Sequence, residues 1–181
     1  MRLAKLIHSF SGEGPARTLY LQIISQARQP EFYRFYGVPD TLDGRFEMLA
    51  LHAFLVLRRL KAEPAAAALS QELFDTMFAD MDENLREMGV GDLSVGKRVK
   101  QMATAFYGRV AAYEEGLDGE AGVLEAALAR NLFGTVAAAP EAMAAYVRRE
   151  ADRLSRMDAK AILGGEISFG VPPEIEAGQA E

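Results

Sequence analysis

From Thr41 to Leu60 the chain carries apolar residues on nearly every side of a helix: Leu42, Phe46, Met48, Leu49, Leu51, Phe54, Leu55, Val56 and Leu57. A helix with a single apolar stripe can lie on a surface, but one apolar all round has to be enclosed by neighbours. The segment is also too short and too interrupted, by Glu47 and His52, to span a bilayer, and it runs into Arg58-Arg59. Whatever else the chain does, it must wrap further elements around this helix.

Those elements also read as helices. Pro15 suits a first helical position, and Leu19, Ile23 and Ile24 follow at helical spacing up to Pro30. Glu31 to Tyr36 makes a turn or two before the break at Gly37-Val38-Pro39-Asp40. Pro64 opens a long helix with the stripe Leu69, Leu73, Phe74, Met77, Phe78, Met81, Leu85 and Met88, closed by Gly89 in the left-handed conformation. Ser94 is the expected N-cap of the next helix, whose inner face carries Val95, Val99, Met102, Phe106, Val110 and Tyr113, with Gly116 and Gly119 ending it. Helices over about 121–133 and 140–157 and a turn at 158–163 complete the set. No pair of strands and no internal repeat is visible. The fold expected is all-α: an irregular single-domain bundle of about six to eight helices over residues 15–163. Residues 1–14 form a separate segment, and 164–181, with little to bury, are expected to be a frayed, flexible tail.

Composition removes most chemistries. The 181 residues include no cysteine, only His8 and His52, and no tryptophan. Thiol nucleophiles, disulfides and cysteine-ligated metals are therefore excluded, and histidine-based catalysis has little to draw on. The net charge of −6 argues against DNA as a partner.

Four patterns bear on chemistry. Gly91-Asp92-Leu93-Ser94-Val95-Gly96-Lys97 fits the opening of a phosphate-binding loop, but a helix and not a strand precedes it, and Arg98 stands where magnesium binding needs Ser or Thr. Carboxylate-bridged metal centres need Glu-x-x-His pairs, which the chain lacks; Glu47, Asp80 and Asp82 read as solvated carboxylates and His52 as a satisfied core or groove histidine. More informative is the helical hairpin around Gly89. Asp82, Glu83 and Glu87 lie near a helix C-terminus, and Lys97, Arg98 and Lys100 near the next N-terminus, each set at the end its helix dipole disfavours. Antiparallel packing is expected to pair the sets, the competing reading being a charged docking face for a protein or ribosomal RNA. Phe32, Tyr33, Phe35 and Tyr36 crowd a short helix with Arg34, and some of them are expected to line an apolar groove together with methionines.

Two long strings resemble a known family. One runs from Phe32-Tyr33-Arg34-Phe35-Tyr36-Gly37-Val38-Pro39-Asp40 through Thr41–Met48 to Leu51-His52. The other runs from Leu73-Phe74-Asp75-Thr76-Met77 through Asp82 and from Leu85 to Lys100, followed by Phe106-Tyr107-Gly108-Arg109. Together they are similar to the ubiquinol–cytochrome c chaperones, over about residues 20–165 and most strongly over 32–60 and 73–113. The resemblance implies an all-α assembly factor for respiratory complex III and not an enzyme, without cofactor, metal or catalytic residue. It implies newly made cytochrome b or another complex III component as client, and contact with the ribosome and a small partner protein. It also implies a bacterial-type member, without a long presequence, acting in the cytoplasm or peripherally at the inner face of the cytoplasmic membrane. Candidate partner-binding residues are Tyr33, Arg34, Tyr36, Arg45, His52, Asp80, Asp82, Lys97, Arg98, Lys100, Tyr107 and Arg109. The first ten residues, with Arg2 and Lys5 beside Leu3, Leu6, Ile7 and Phe10, are expected to lie on a membrane surface as a short helix. The alternative reading is a general helical adaptor with no cytochrome client; nucleotide hydrolysis through Lys97 ranks third.

Overall fold

The computed structural model describes residues 14–134, 136 and 140–172, and the N-terminal membrane-surface helix expected above lies outside them. Among the described residues eight α-helices follow one another: α1 (Pro15–Ala27), α2 (Pro30–Arg34), α3 (Leu42–Lys61), α4 (Ala67–Glu87), α5 (Asp92–Asp118), α6 (Val123–Leu128), α7 (Pro140–Ser155) and α8 (Ala159–Leu163). A 3-10 turn, Pro64–Ala66, leads into α4, and a π-helical segment, Ala129–Phe133, continues α6.

The all-round apolar helix is the centre, as its pattern requires. α3 packs against α1, α4, α5 and α7, while α1 lies on α4 and α6 bridges α5 to α7. Met48, Ala50, Leu51, Ala53, Phe54, Leu55, Val56 and Leu60 of α3 are all buried. Its start is set by Thr41, whose Oγ1 accepts the Gly44 N–H at 3.1 Å.

Chain reversals follow the backbone chemistry of the helix ends. At the end of α4, Gly89 takes φ 80°, its N–H donates to the Arg86 carbonyl, and the Val90 N–H donates to the Leu85 carbonyl. These two bonds make a Schellman motif, which favours glycine at the left-handed position. The N-cap of α5 is Gly91 and not Ser94. Asp92 fits the positive end of the helix, so the helix starts a turn earlier and Ser94 lies inside it on the exposed side. Gly116 does not end α5 either: it is buried within the helix, and a Cβ there would sit 2.6 Å from Leu124 Cα. This glycine permits a close crossing of α5 and α6; Gly119 is the stop.

The expected frayed tail is corrected for residues 164–172, which form an ordered strap across α1 and α7. A second Schellman motif at Gly165 (φ 88°) turns the chain out of α8. Gln22 then clamps the main chain, donating to the Gly165 carbonyl at 2.8 Å and accepting the Ile167 N–H at 3.1 Å. Gln26 donates to the Gly170 carbonyl at 2.9 Å, and the buried Glu150 accepts the Gly170 N–H at 2.8 Å. Isolated Phe169 and Ile167 offered little apolar periodicity, but these polar side chains satisfy the strap's backbone groups.

Candidate partner-binding surfaces

The candidate residues divide into buried and surface sets. His52 is fully buried on α3. Its Nδ1–H donates to the Met48 carbonyl at 2.8 Å, a carbonyl being able only to accept. Nε2 is therefore the acceptor for the Tyr146 hydroxyl at 2.8 Å, and Tyr146 Oη in turn accepts from Gln26 Nε2 at 2.9 Å. Burial lowers the His52 pKa to about 4, so the ring is neutral near pH 7. Burial likewise raises the pKa of the Tyr146 hydroxyl. Phe32 packs edge-on against Tyr146 at 4.9 Å, Tyr36 lies beside both, and Phe169 of the strap covers His52 at 5.2 Å.

This cluster absorbs the aromatic segment. Phe32 and Tyr36 are core residues; Tyr33 is half-buried and donates to the Ala27 carbonyl at 2.9 Å. Phe35 stays exposed with the Arg34 guanidinium over its ring at 5.5 Å. The two inward aromatics of the short helix are used in the core, against Tyr146 of α7 and, for Phe32, His52 of α3. The methionine face is mostly core as well: Met77 and Met81 are buried, and only Met88 is largely exposed.

Several charged candidates are structural. Arg109 on α5 grips the buried Glu47 carboxylate of α3, with Nε at 3.0 and 2.8 Å from its two oxygens and an Nη contact besides. Glu47, expected as a solvated carboxylate, is thus the core partner of Arg109. Asp80 accepts the Tyr20 hydroxyl at 2.8 Å, tying α4 to α1. Arg45 pairs with Asp40 at 2.7 Å on the surface. Asp82 pairs with Arg86, which also holds Asp92. The expected pairing of the acidic set with Lys97, Arg98 and Lys100 does not form among the described residues. Arg86, already on α4, neutralises Asp82 locally at helical spacing, and the three cations point outward. Gly96 and Lys97 lie inside α5 and do not make a phosphate loop.

Tyr107 is the candidate that marks an apolar groove. It is 60% exposed and stacks on Phe74 of α4 at 5.4 Å. Around them Leu57, Phe106 and Val110 form the floor of a groove of about 260 Å³ between α3, α4 and α5, with Arg58, Lys61 and Glu114 at its rim. Sequence periodicity assigned Phe74 and Phe106 to inward stripes and so missed their second role as a wall. The signal was the aromatic spacing, Phe74 and Phe78 on one helix against Phe106 and Tyr107 on the next, which exceeds what one interface needs. Beyond Arg58 lies a second open hollow, lined in part by the ion-paired residues Arg58, Asp118, Arg59 and Glu63.

Comparisons with known proteins agree on one set of relatives. A family model described as ubiquinol–cytochrome c chaperone matches residues 34–169. The chain is 27% identical over 157 residues to ubiquinol–cytochrome-c reductase complex assembly factor 1 of Xenopus laevis, covering 84% of this chain and 78% of that protein. It is 28% identical over 159 residues to the human protein of that name, covering 85% of this chain but only 53% of the human one. The chain thus spans about half the length of the human relative. A crystal structure of the Cbp3 homolog from Brucella abortus is similar at a TM-score of 0.78 and 44% identity, covering 87% of this chain and 89% of that one.

Proposed function

The chain belongs to the ubiquinol–cytochrome c chaperone family, whose members are assembly chaperones and not enzymes, and from that membership we propose that it assists assembly of respiratory complex III by holding newly made cytochrome b. One observation supports a holding role above the others. The groove floored by Leu57, Phe74, Phe106 and Val110 presents an apolar surface with an exposed aromatic lip, Tyr107, and charges only at its rim. An amphipathic or apolar helix laid into such a groove is recognised by burial of its apolar face, without directional chemistry. A client made of apolar helices needs that kind of cover until its final partners arrive.

The same reading gives Arg58, Lys61 and Glu114 the task of orienting the client, and leaves the buried His52 centre a structural role. Contact with the ribosome that makes the client, and a peripheral position at the inner face of a bacterial cytoplasmic membrane, belong to this reading. No described helix is long and apolar enough to cross a membrane.

A strain lacking the chain tests the proposal. The expected result is reduced cytochrome b absorbance and reduced ubiquinol–cytochrome c reductase activity, both restored by the wild-type chain. Tyr107→Glu, at an exposed position, is expected to restore little while losing only its stack on Phe74, a fall of roughly 1–6 °C in melting temperature. Normal cytochrome b and normal complex III in the deletion strain reject the proposal in favour of a general adaptor.

A further inference from the structure

The outward face of α5 carries a pattern that the client groove does not explain. From Leu93, steps of four and three lead to Lys97, Lys100, Thr104 and Tyr107, which fall in one line along the helix. All five are exposed, and Leu93 is 100% exposed. Arg98 is exposed too, about 100° round the helix from Lys97. Between Leu93 and Tyr113 the helix holds four cations and no acidic residue, in a chain whose net charge is −6. Among the described residues, Arg109 is the one of the four that makes an ion pair, on Glu47. Met88, 52% exposed, sits at the same tip of the α4–α5 hairpin as Leu93.

We propose that this face of α5 docks on an anionic phospholipid surface, with Lys97 and Lys100 against lipid phosphates, Arg98 beside them within reach of the surface potential, and Leu93 and Met88 entering the headgroup boundary. Charge complementarity calls for an anionic partner. The fully exposed leucine selects lipid over nucleic acid, because a phosphate backbone offers nothing to bury it, whereas an interface does. Glu83 and Glu87 do not oppose the contact: at helical spacing they fall on the side of α4 away from Leu73, Met77, Met81 and Leu85, the residues it buries. Tyr107 belongs both to the line and to the lip of the groove. Docking through α5 therefore sets the groove beside the bilayer, where an apolar client emerges. The inference names the face behind the peripheral placement proposed above. Its experiment contains no client, so it and the client-binding reading fail separately.

The probe is vesicle flotation of the full chain, on phosphatidylcholine alone and on phosphatidylcholine with about 30% phosphatidylglycerol, at low and raised ionic strength. Binding is expected only to the anionic vesicles and is expected to weaken with salt. Each cation near such a surface is worth roughly a factor of 5 in partitioning, so Lys97→Gln with Arg98→Gln and Lys100→Gln should lower it roughly 100-fold. The triple variant should keep the wild-type melting temperature, since none of the three makes an ion pair with a described residue. Leu93→Ser should lower partitioning by roughly 10-fold with the charges intact. Arg2→Gln with Lys5→Gln, made in the full chain, should change it less than the α5 triple variant. The proposal is overturned by absence of binding to anionic vesicles, by undiminished binding of the triple variant, by a dominant effect of the Arg2 and Lys5 changes, or by a mixed-sequence RNA that displaces the chain from vesicles in proportion to Lys97, Arg98 and Lys100.

Discussion

Mild acidification should destabilise this chain through His52. His52 is neutral in the folded state with its pKa lowered to about 4 by burial, against about 6.5 for an unfolded chain. Between those values the unfolded state binds a proton that the folded state refuses, so stability is complete above about pH 6.5 and falls as the pH drops toward 4. The hydrogen bonds explain the refusal. Nδ1–H is committed to the Met48 carbonyl, and Nε2 accepts from Tyr146. A proton on Nε2 turns two donors toward each other. Tyr146 can rotate to accept, but it already accepts from Gln26, and its own hydrogen then has no partner. The full interval is worth about 3 kcal/mol at 1.36 kcal/mol per unit, of which about 2 kcal/mol is lost by pH 5. For a domain of this size that is a fall of about 4–8 °C in melting temperature. The assay is thermal unfolding of wild type and His52→Gln at pH 7.5, 6 and 5. The variant starts lower, having lost packing, but its melting temperature should change with pH by about 4–8 °C less than that of wild type. Asp40, Asp118 and Glu125, whose pKa values are lowered by hydrogen bonds from Arg45, Arg58 and Arg148, are common to both proteins and act alike in them. Equal pH slopes in the two proteins refute the reasoning.

Other outcomes follow from the packing. Arg109→Ala leaves the Glu47 carboxylate buried and unpaired and should cost about 2–4 kcal/mol in urea unfolding; Glu47→Leu with Arg109→Leu should cost less than the single change. Gly116→Ala forces a methyl against the α6 backbone at Leu124 and should lower stability by about 1–3 kcal/mol in a melting experiment. Gly170→Ala places a Cβ 2.8 Å from Glu150 Oε1, so hydrogen exchange should show faster amide exchange over 165–171 with little change in α3.

How legible the fold was depended on the kind of signal. An apolar circumference leaves a helix only one place, so the central position of α3 followed from its residues. Gly89 announced a left-handed stop, because few other residues take that φ. Gly91 against Ser94 was not decidable from capping preference alone, since both occur at N-caps and the choice rests on how far α4 runs before the turn. Gly116 carries no local mark that distinguishes a helix end from a close crossing. The strap escaped for a different reason: its order comes from Gln22, Gln26 and Glu150, more than a hundred residues or a helix away, and no periodicity within 164–172 reflects them. The binding surfaces show the same division. Lys97, Arg98 and Lys100 stood out as a strip in an acidic chain, yet Arg109 two turns on is a core ligand of Glu47, and composition treats the two alike.

The Gln22 clamp on the strap has a consequence in time. Its two ends are separated by 143 and 145 residues. At roughly 5–20 residues per second of synthesis, α1 waits on the order of 10–30 s for the segment that covers its outer edge. During that interval the first helix can pair with α3 and α4 but lacks its last neighbour, and His52 lacks the ring of Phe169. The chain is thus unfinished until late in its own synthesis, and mutations in the strap should show first as slow maturation and only then as a lower melting temperature.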